Sequence, residues 1–312
     1  MISCTDFIPA YSELFSYLED FHGREAVSQL WNELFNPETG AVPLDAYIAR
    51  EGIRGCFSYW THSLNEEAAD FTMYLNEKAG WFLLTMRHCP SKGRLLDLQR
   101  ETGLIPYRDY CLHCDSYRFA VEKHGLRYIY NFADVDRAAC SILIYDPAVF
   151  RDRVVVDGDT EIMDRKSSQN EYFHQDFHIS MNKGIQYLSD TYGEDEVKAY
   201  LRRYARRVYA ALIERIRREG LAPLEAMIRT SYRREKAEDA LETQLDDRRL
   251  TVSVSRCPAV GHLREKGVEV SPQFPMTTTE VMRTLAEEGG LRFAMDKYDP
   301  LTGAARYHFD RP

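Results

Sequence analysis

The 312-residue chain reads as if written twice, and no other feature restricts its fold so strongly. Tyr17 to Val27 can be laid on Tyr187 to Val197 at a spacing of 170 residues, with Tyr, Leu, Asp, Gly and Val coinciding. The same spacing pairs Asp6-Phe7 with Asp176-Phe177. Further along, Cys89-Pro90 falls on Cys257-Pro258 and Gly93 on Gly261, at a spacing of 168. Gly125-Leu126-Arg127-Tyr128 falls on Gly290-Leu291-Arg292-Phe293 at 165. Three matches in one order, with a spacing that drifts by a few residues, predict a tandem duplication.

Each copy opens in helical periodicity and closes in strand periodicity. Leu14, Phe15, Leu18 and Phe21 recur at helical spacing, Gly23 is placed to end that helix, and Ala26, Val27, Leu30, Trp31 and Leu34 mark a second. The second copy repeats this with Ile185, Leu188, Gly193, Val197, Tyr200 and Leu201, predicting a long helix to about Glu219. The period then falls to two. Residues 71–87 and 240–255 read as hairpins, each followed by the Cys-Pro step, a helix and two more strands. The expected fold is therefore α+β, in two tandem copies of a helices–hairpin–helix–hairpin unit. Antiparallel sheets carry helices on one face, with a pseudo-twofold relation between copies. Residues 1–147 form the first repeat, 148–172 a connector and 173–312 the second repeat.

Composition narrows the function classes. Lys and Arg total 40 against 49 Asp and Glu, a formal charge of −9, which argues against nucleic acid as a main partner. The arginines at 202, 203, 206, 207, 215, 217 and 218 recur at helical spacing among acids and read as a solvated helix face. No apolar run is long enough to span a bilayer, and MISCTDFIPAYSELF lacks the pattern of a secretory signal, so a cytoplasmic protein is expected. The odd count of seven cysteines does not suit a disulfide scaffold. Walker, dinucleotide, G-x-S-x-G and H-E-x-x-H patterns are missing, so no nucleotide cofactor is expected.

Two constellations bear chemistry. In the second repeat His174, His178 and Asn182 are spaced to share one helix face, with Asp176 between them. Cys257 and His262 lie where the Cys-Pro step starts a helix, and a thiol there meets free N–H groups and the positive dipole end, which favours thiolate. These residues compose a thiol site with His178 or His174 as base and Asp176 or Asn182 as orienter. They also suit a metal site, or histidines that merely fix a helix beside a buried cysteine. In the first repeat Cys111-Leu112-His113-Cys114, with Cys89 and Cys140, supplies four soft ligands, enough for zinc or an iron–sulfur cluster, or four packed thiols. Thr277 and Glu280 stand in capping-box register, and the Thr277-Thr278 helix start also suits a substrate carboxylate. Arg292, like Arg127, either bridges within its sheet or reaches a ligand carboxylate.

The element order, the Cys-Pro step, the Gly-Leu-Arg-Tyr/Phe strand and the closing strand together resemble the L-2-amino-thiazoline-4-carboxylic acid hydrolase family. More distantly they resemble the four-vinyl-reductase ligand-binding domains. The first resemblance implies hydrolytic opening of a small cyclic C=N substrate bearing a carboxylate; the second implies a non-catalytic sensor or carrier. The chain departs from both families in holding two copies. Its second closing strand also has Ala305-Arg306-Tyr307 where such families often carry a cysteine, as Cys140 does in the first copy. The expectation is a hydrolase of a C–N or C=N bond in a small cyclic carboxylate, working in the second repeat on a small-molecule substrate, with a homodimer as the assembly considered. The first repeat is expected to be structural.

Overall fold

The computed structural model describes residues 2–38 and 42–312. Among them the protein is α+β, with twelve α-helices and two antiparallel sheets. Two compact units account for the chain. One is Leu18–His174, and the other joins residues up to Tyr17 to Gln175–Pro312. The first helix, α1 (Phe7–His22), crosses the division, so the opening turns of the first repeat group with the second.

The unit Leu18–His174 carries α2 (Arg24–Phe35), α3 (Pro43–Glu51), α4 (Arg54–Glu66), β1 (Asp70–Asn76), β2 (Trp81–His88), α5 (Pro90–Thr102), a 3-10 helix (Tyr110–Tyr117), α6 (Arg118–Lys123), β3 (Arg127–Asn131), β4 (Cys140–Tyr145) and β5 (Glu161–Arg165). The sheet order is β3-β4-β2-β1-β5. Period two decides which face is buried: Phe71, Met73 and Leu75 of β1 oppose Met86, Leu84 and Phe82 of β2. Phe82 in turn opposes Ile144 of β4 and stacks on Trp60 of α4, with ring centroids 5.4 Å apart. Each such side chain contributes about 1.5–3 kcal/mol by leaving water. Residues 161–165, expected within a connector, instead form the fifth strand. Arg87 holds it by reaching Asp70, Asp164 (2.7 Å) and the carbonyl of Arg165 (2.6 Å).

The other unit carries α7 (Phe177–Tyr192), α8 (Glu194–Val208), α9 (Ala210–Glu219), α10 (Ala222–Arg234), β6 (Leu241–Leu245), β7 (Arg249–Val254), α11 (Pro258–Glu265), α12 (Met276–Glu288), β8 (Arg292–Tyr298) and β9 (Ala305–Asp310). Its order is β6-β7-β9-β8, the order of the first sheet without the added fifth strand. Leu250 opposes Phe309 and Val252 opposes Tyr307 on the buried face. The long helix expected to Glu219 is broken at Tyr209 into α8 and α9. Phe7 stacks on Phe177 at 4.5 Å, so residues paired at the 170 spacing touch.

The arginine stripe is not simply solvated. Arg203 and Arg207 grip the buried Glu13, Arg202 meets Glu280 at 2.9 Å, and Arg206 and Arg217 meet Glu288. Internal partners absorb the charge that would otherwise present a basic surface. No helix of the described residues is long and apolar enough to cross a membrane.

Close approach is costly to disturb where α3 meets α4. A Cβ added to Gly55 lies 2.3 Å from the Tyr47 carbonyl oxygen, which is backbone and has little freedom to yield. Gly55→Ala should therefore cost about 1–3 kcal/mol, read as a lower urea midpoint at unchanged slope.

Candidate functional site

Both Cys-Pro steps do what their sequence promises: Pro90 and Pro258 occupy the first helical position, with Cys89 and Cys257 as N-caps. Each cysteine N–H also donates to the loop before the closing strand, Cys89 to Ala138 (2.6 Å) and Cys257 to Thr302 (2.9 Å). The preceding helix-to-strand turns match as well. Glu67 and Glu235 end their helices with N–H bonds to Ser63 and Ser231, and the next residues, Ala68 and Lys236, take positive φ of 50° and 53°. The stretches Ser63 to Ala69 and Ser231 to Ala237 have the Cys-Pro spacing of 168 and share Ser, Glu and Ala. That weak signal was open to a sequence reading, and it marks a carboxylate turned inward in each unit.

In the second repeat the expected residues are only partly assembled. α7 begins at Phe177, so His174 lies ahead of it and cannot share a helix face with His178 and Asn182. His174 instead belongs to the unit Leu18–His174, where its Nδ1 donates to Glu66 at 2.7 Å. His178 is buried and its Nε2 donates to the buried Glu235 at 3.1 Å; the same carboxylate accepts the Cys4 N–H. Asn182 spans a loop, donating to the Glu269 carbonyl (2.9 Å) and accepting from the Ser271 N–H (2.8 Å). His262 donates to Asp176 at 2.8 Å. These groups are occupied by one another.

Cys257 does meet Thr277 and Thr278, together with Tyr232, Tyr298 and Tyr307, around a cavity of about 20 Å³. That is room for about one water molecule and not for a metabolite. The expected thiolate does not follow either. Burial pushes the Cys257 thiol up and outweighs the N–H groups of Ala259 and Val260. Thr277 forms no capping box: its hydroxyl donates to the Phe274 carbonyl at 2.8 Å, and the N-cap is Pro275. Arg292 is exposed and lies opposite Asp310 across β8 and β9, a position within the sheet.

The first repeat gathers more chemistry than the second. Cys89, Cys111, Cys114 and Cys140 lie close enough that each of the thiols at 89, 111 and 114 feels the charge of others in the set. Burial dominates all four, pushing Cys111 and Cys140 up to about 11 and Cys89 and Cys114 higher. No group of three or more His, Cys, Asp or Glu among the described residues has metal-binding geometry, so the four thiols are neighbours without forming a ligand cage. On the 3-10 helix, Cys114 Sγ lies 3.6 Å from His113 Nε2, and His113 Nδ1 points to the Tyr110 carbonyl. Since a carbonyl only accepts, Nδ1 carries the proton and Nε2 faces the Cys114 sulfur as an acceptor. Burial holds the imidazole neutral by lowering it to about 4. Glu67 faces the same cluster and accepts the Ser91 hydroxyl at 3.4 Å; burial raises its carboxyl, against the pull of His174, Ser91 and Arg94.

The fold and site thus define a two-unit α+β protein with a half-buried thiol, imidazole and carboxyl cluster in one unit. No family model, curated protein or solved structure matches the chain.

The Glu235 pair sets a pH dependence. Burial raises this carboxyl, but the His178 hydrogen bond and charge and the Cys4 N–H outweigh it, so its folded value lies below 4.5. A depressed carboxylate stabilises the fold above its unfolded pKa, and that contribution is lost as pH falls through the folded value. The stability lead of wild type over Glu235→Gln should shrink as pH falls from 5 to 3 in urea titrations. At pH 7, His178→Ala should cost about 3–5 kcal/mol by leaving the carboxylate buried and unpaired.

Proposed function

We propose that the protein hydrolyses a C–N or C=N bond in a small cyclic carboxylate, and that the working site is the cluster of the first repeat. The carrying observation is the Cys114–His113 contact at 3.6 Å, with the ring oriented through Nδ1 by a backbone carbonyl. A weak nucleophile gains most from a base within hydrogen-bond reach and from a third group that fixes the base. Cys114 sulfur bonds to the C=N carbon while its proton passes to His113 Nε2. Glu67, whose carboxyl burial raises, protonates the ring nitrogen as the C=N bond becomes single, and His113 passes its proton to the same nitrogen as the C–N bond breaks. Water then attacks the same carbon, one of its protons passing to Glu67 and the other to the Cys114 sulfur as the C=O bond forms and the C–S bond breaks. The resemblance to the amino-thiazoline carboxylate hydrolases supports the bond class. The matched turns and Cys-Pro steps support descent of both units from one duplicated ancestor.

One observation favours a second reading, a non-catalytic carrier: every thiol of the cluster is pushed up by burial, which suppresses thiolate. Turnover separates the two. Wild type should open 2-amino-thiazoline-4-carboxylate or a related cyclic amidine carboxylate. Cys114→Ser and His113→Asn should each lose at least about 100-fold in kcat/KM, as removal of a nucleophile or its base requires, whereas Cys257→Ala should stay near wild type. Unchanged rates in both cluster variants would reject this assignment. Binding of such compounds by wild type without any product would favour the carrier.

A further inference from the structure

The C-x-x-C of the first repeat lies on a helix type that changes what its spacing means. Cys111 and Cys114 stand on the 3-10 helix Tyr110–Tyr117, and both are half-buried. Such a helix completes a turn in three residues, so side chains three apart are eclipsed, and at about 2.0 Å of rise per residue their Cα atoms are about 6 Å apart. Disulfides span about 4.4–6.8 Å between Cα atoms and need Cβ vectors that do not diverge. The pair therefore stands in register for one bond, with about 2 Å for its Cβ atoms to close.

The helix allows that approach from one end. Cys114 is fixed, because its carbonyl accepts the hydroxyl of the buried Tyr128 of β3 at 2.7 Å. Cys111 is the second residue of the helix, and the N-cap Asp109 makes no side-chain cap bond. Hydrogen bonds of a 3-10 turn are poorly aligned, so the first turn yields at small cost. On the far side of the pair, Cys114 Sγ lies 3.6 Å from His113 Nε2, an acceptor for the thiol proton. Connecting two helices does not require the segment. In the other unit residues 266–275 link α11 to α12 with neither helix nor cysteine.

We propose that Cys111 and Cys114 are a reversible dithiol, closed to a disulfide by exchange with a low-molecular-weight disulfide such as that of glutathione. Cys111 sulfur attacks one sulfur of the external disulfide, whose S–S bond breaks, and one thiol leaves with the Cys111 proton. Cys114 sulfur then attacks Cys111 sulfur while its own proton passes to His113 Nε2. The mixed S–S bond breaks, and the second thiol leaves with that proton. Two cysteine thiols are oxidised and one external disulfide is reduced to two thiols. Burial raises both cysteines and disfavours thiolate, but a disulfide carries neither charge nor proton, so burial favours the closed form at equilibrium. The assignment shares Cys114 with the hydrolase reading and does not rest on it.

Equilibration of the full chain in glutathione buffers, followed by acid quenching, alkylation, trypsin digestion and mass spectrometry, tests this. The peptide Asp109–Arg118 contains Cys111 and Cys114 and no other cysteine. In excess glutathione disulfide it should become lighter by two hydrogens and escape alkylation, and dithiothreitol should reverse both changes. Cys114→Ser should instead hold glutathione on Cys111. His113→Asn should slow closure at least about tenfold, as loss of a general base requires, and reach the same final oxidised fraction. A peptide that stays reduced overturns the proposal. So does glutathione on both cysteines without an internal bond, or a cross-link from this peptide to the one carrying Cys89 or Cys140. Closure of His113→Asn at the wild-type rate overturns the role given to the imidazole. The readout is a covalent bond, so failure of the hydrolase reading leaves it unchanged.

Discussion

The strand-to-helix junction at the Cys-Pro steps is the constraint on which the rest of each unit depends. Proline at the first helical position ends the central strand and fixes the helix start, since it lacks the N–H that a continuing ladder would need. The cysteine before it still has its N–H, and gives it to the loop entering the closing strand. One residue therefore ends a strand, begins a helix and ties in the second hairpin. Both sheets then share the order in which the closing strand lies beside the central one. The junction also turns the cysteine, and the residue three positions later, toward the interior.

What the two units do with this shared junction differs, and the difference is chemical. In the second repeat the helix start is closed by Ala259 and Val260, Cys257 lines space for about one water, and the histidines are committed to carboxylates and loops. In the first repeat the same positions carry Ser91 and Lys92, and the 3-10 helix brings Cys111, His113 and Cys114 beside them. Burial raises every acid in that cluster and lowers its imidazole. Thiol, imidazole and carboxyl thus lie together in one unit, where burial disfavours the charged form of each.

Sequence reading expected the histidines of the second repeat to form one site, and the structure assembles them only in part, for an identifiable reason. Histidines at 174, 178 and 262 drew attention because they are rare and clustered, yet their hydrogen bonds lead to Glu66, Glu235 and Asp176. Spacing alone cannot distinguish a histidine that waits for a ligand from one already satisfied. It also placed His174 on a helix that starts three residues later. The four cysteines were legible as a set, whereas Glu67 stands outside any motif and was not singled out. A charged residue near a helix terminus carries no mark of its burial.

The sequence by itself determined the α+β class, the hairpins and the Cys-Pro helix starts. Periodicity, proline and glycine are local signals, and they act over a few residues. Tertiary structure alone decided that residues 161–165 complete a sheet, that the opening turns of the first repeat group with the second, and that one half gathers the thiol, imidazole and carboxyl cluster. Those outcomes depend on which distant surfaces exclude water from a given side chain. Burial and hydrogen-bond partners, which set the protonation of Glu67, His113 and the thiols, exist only once the chain has folded.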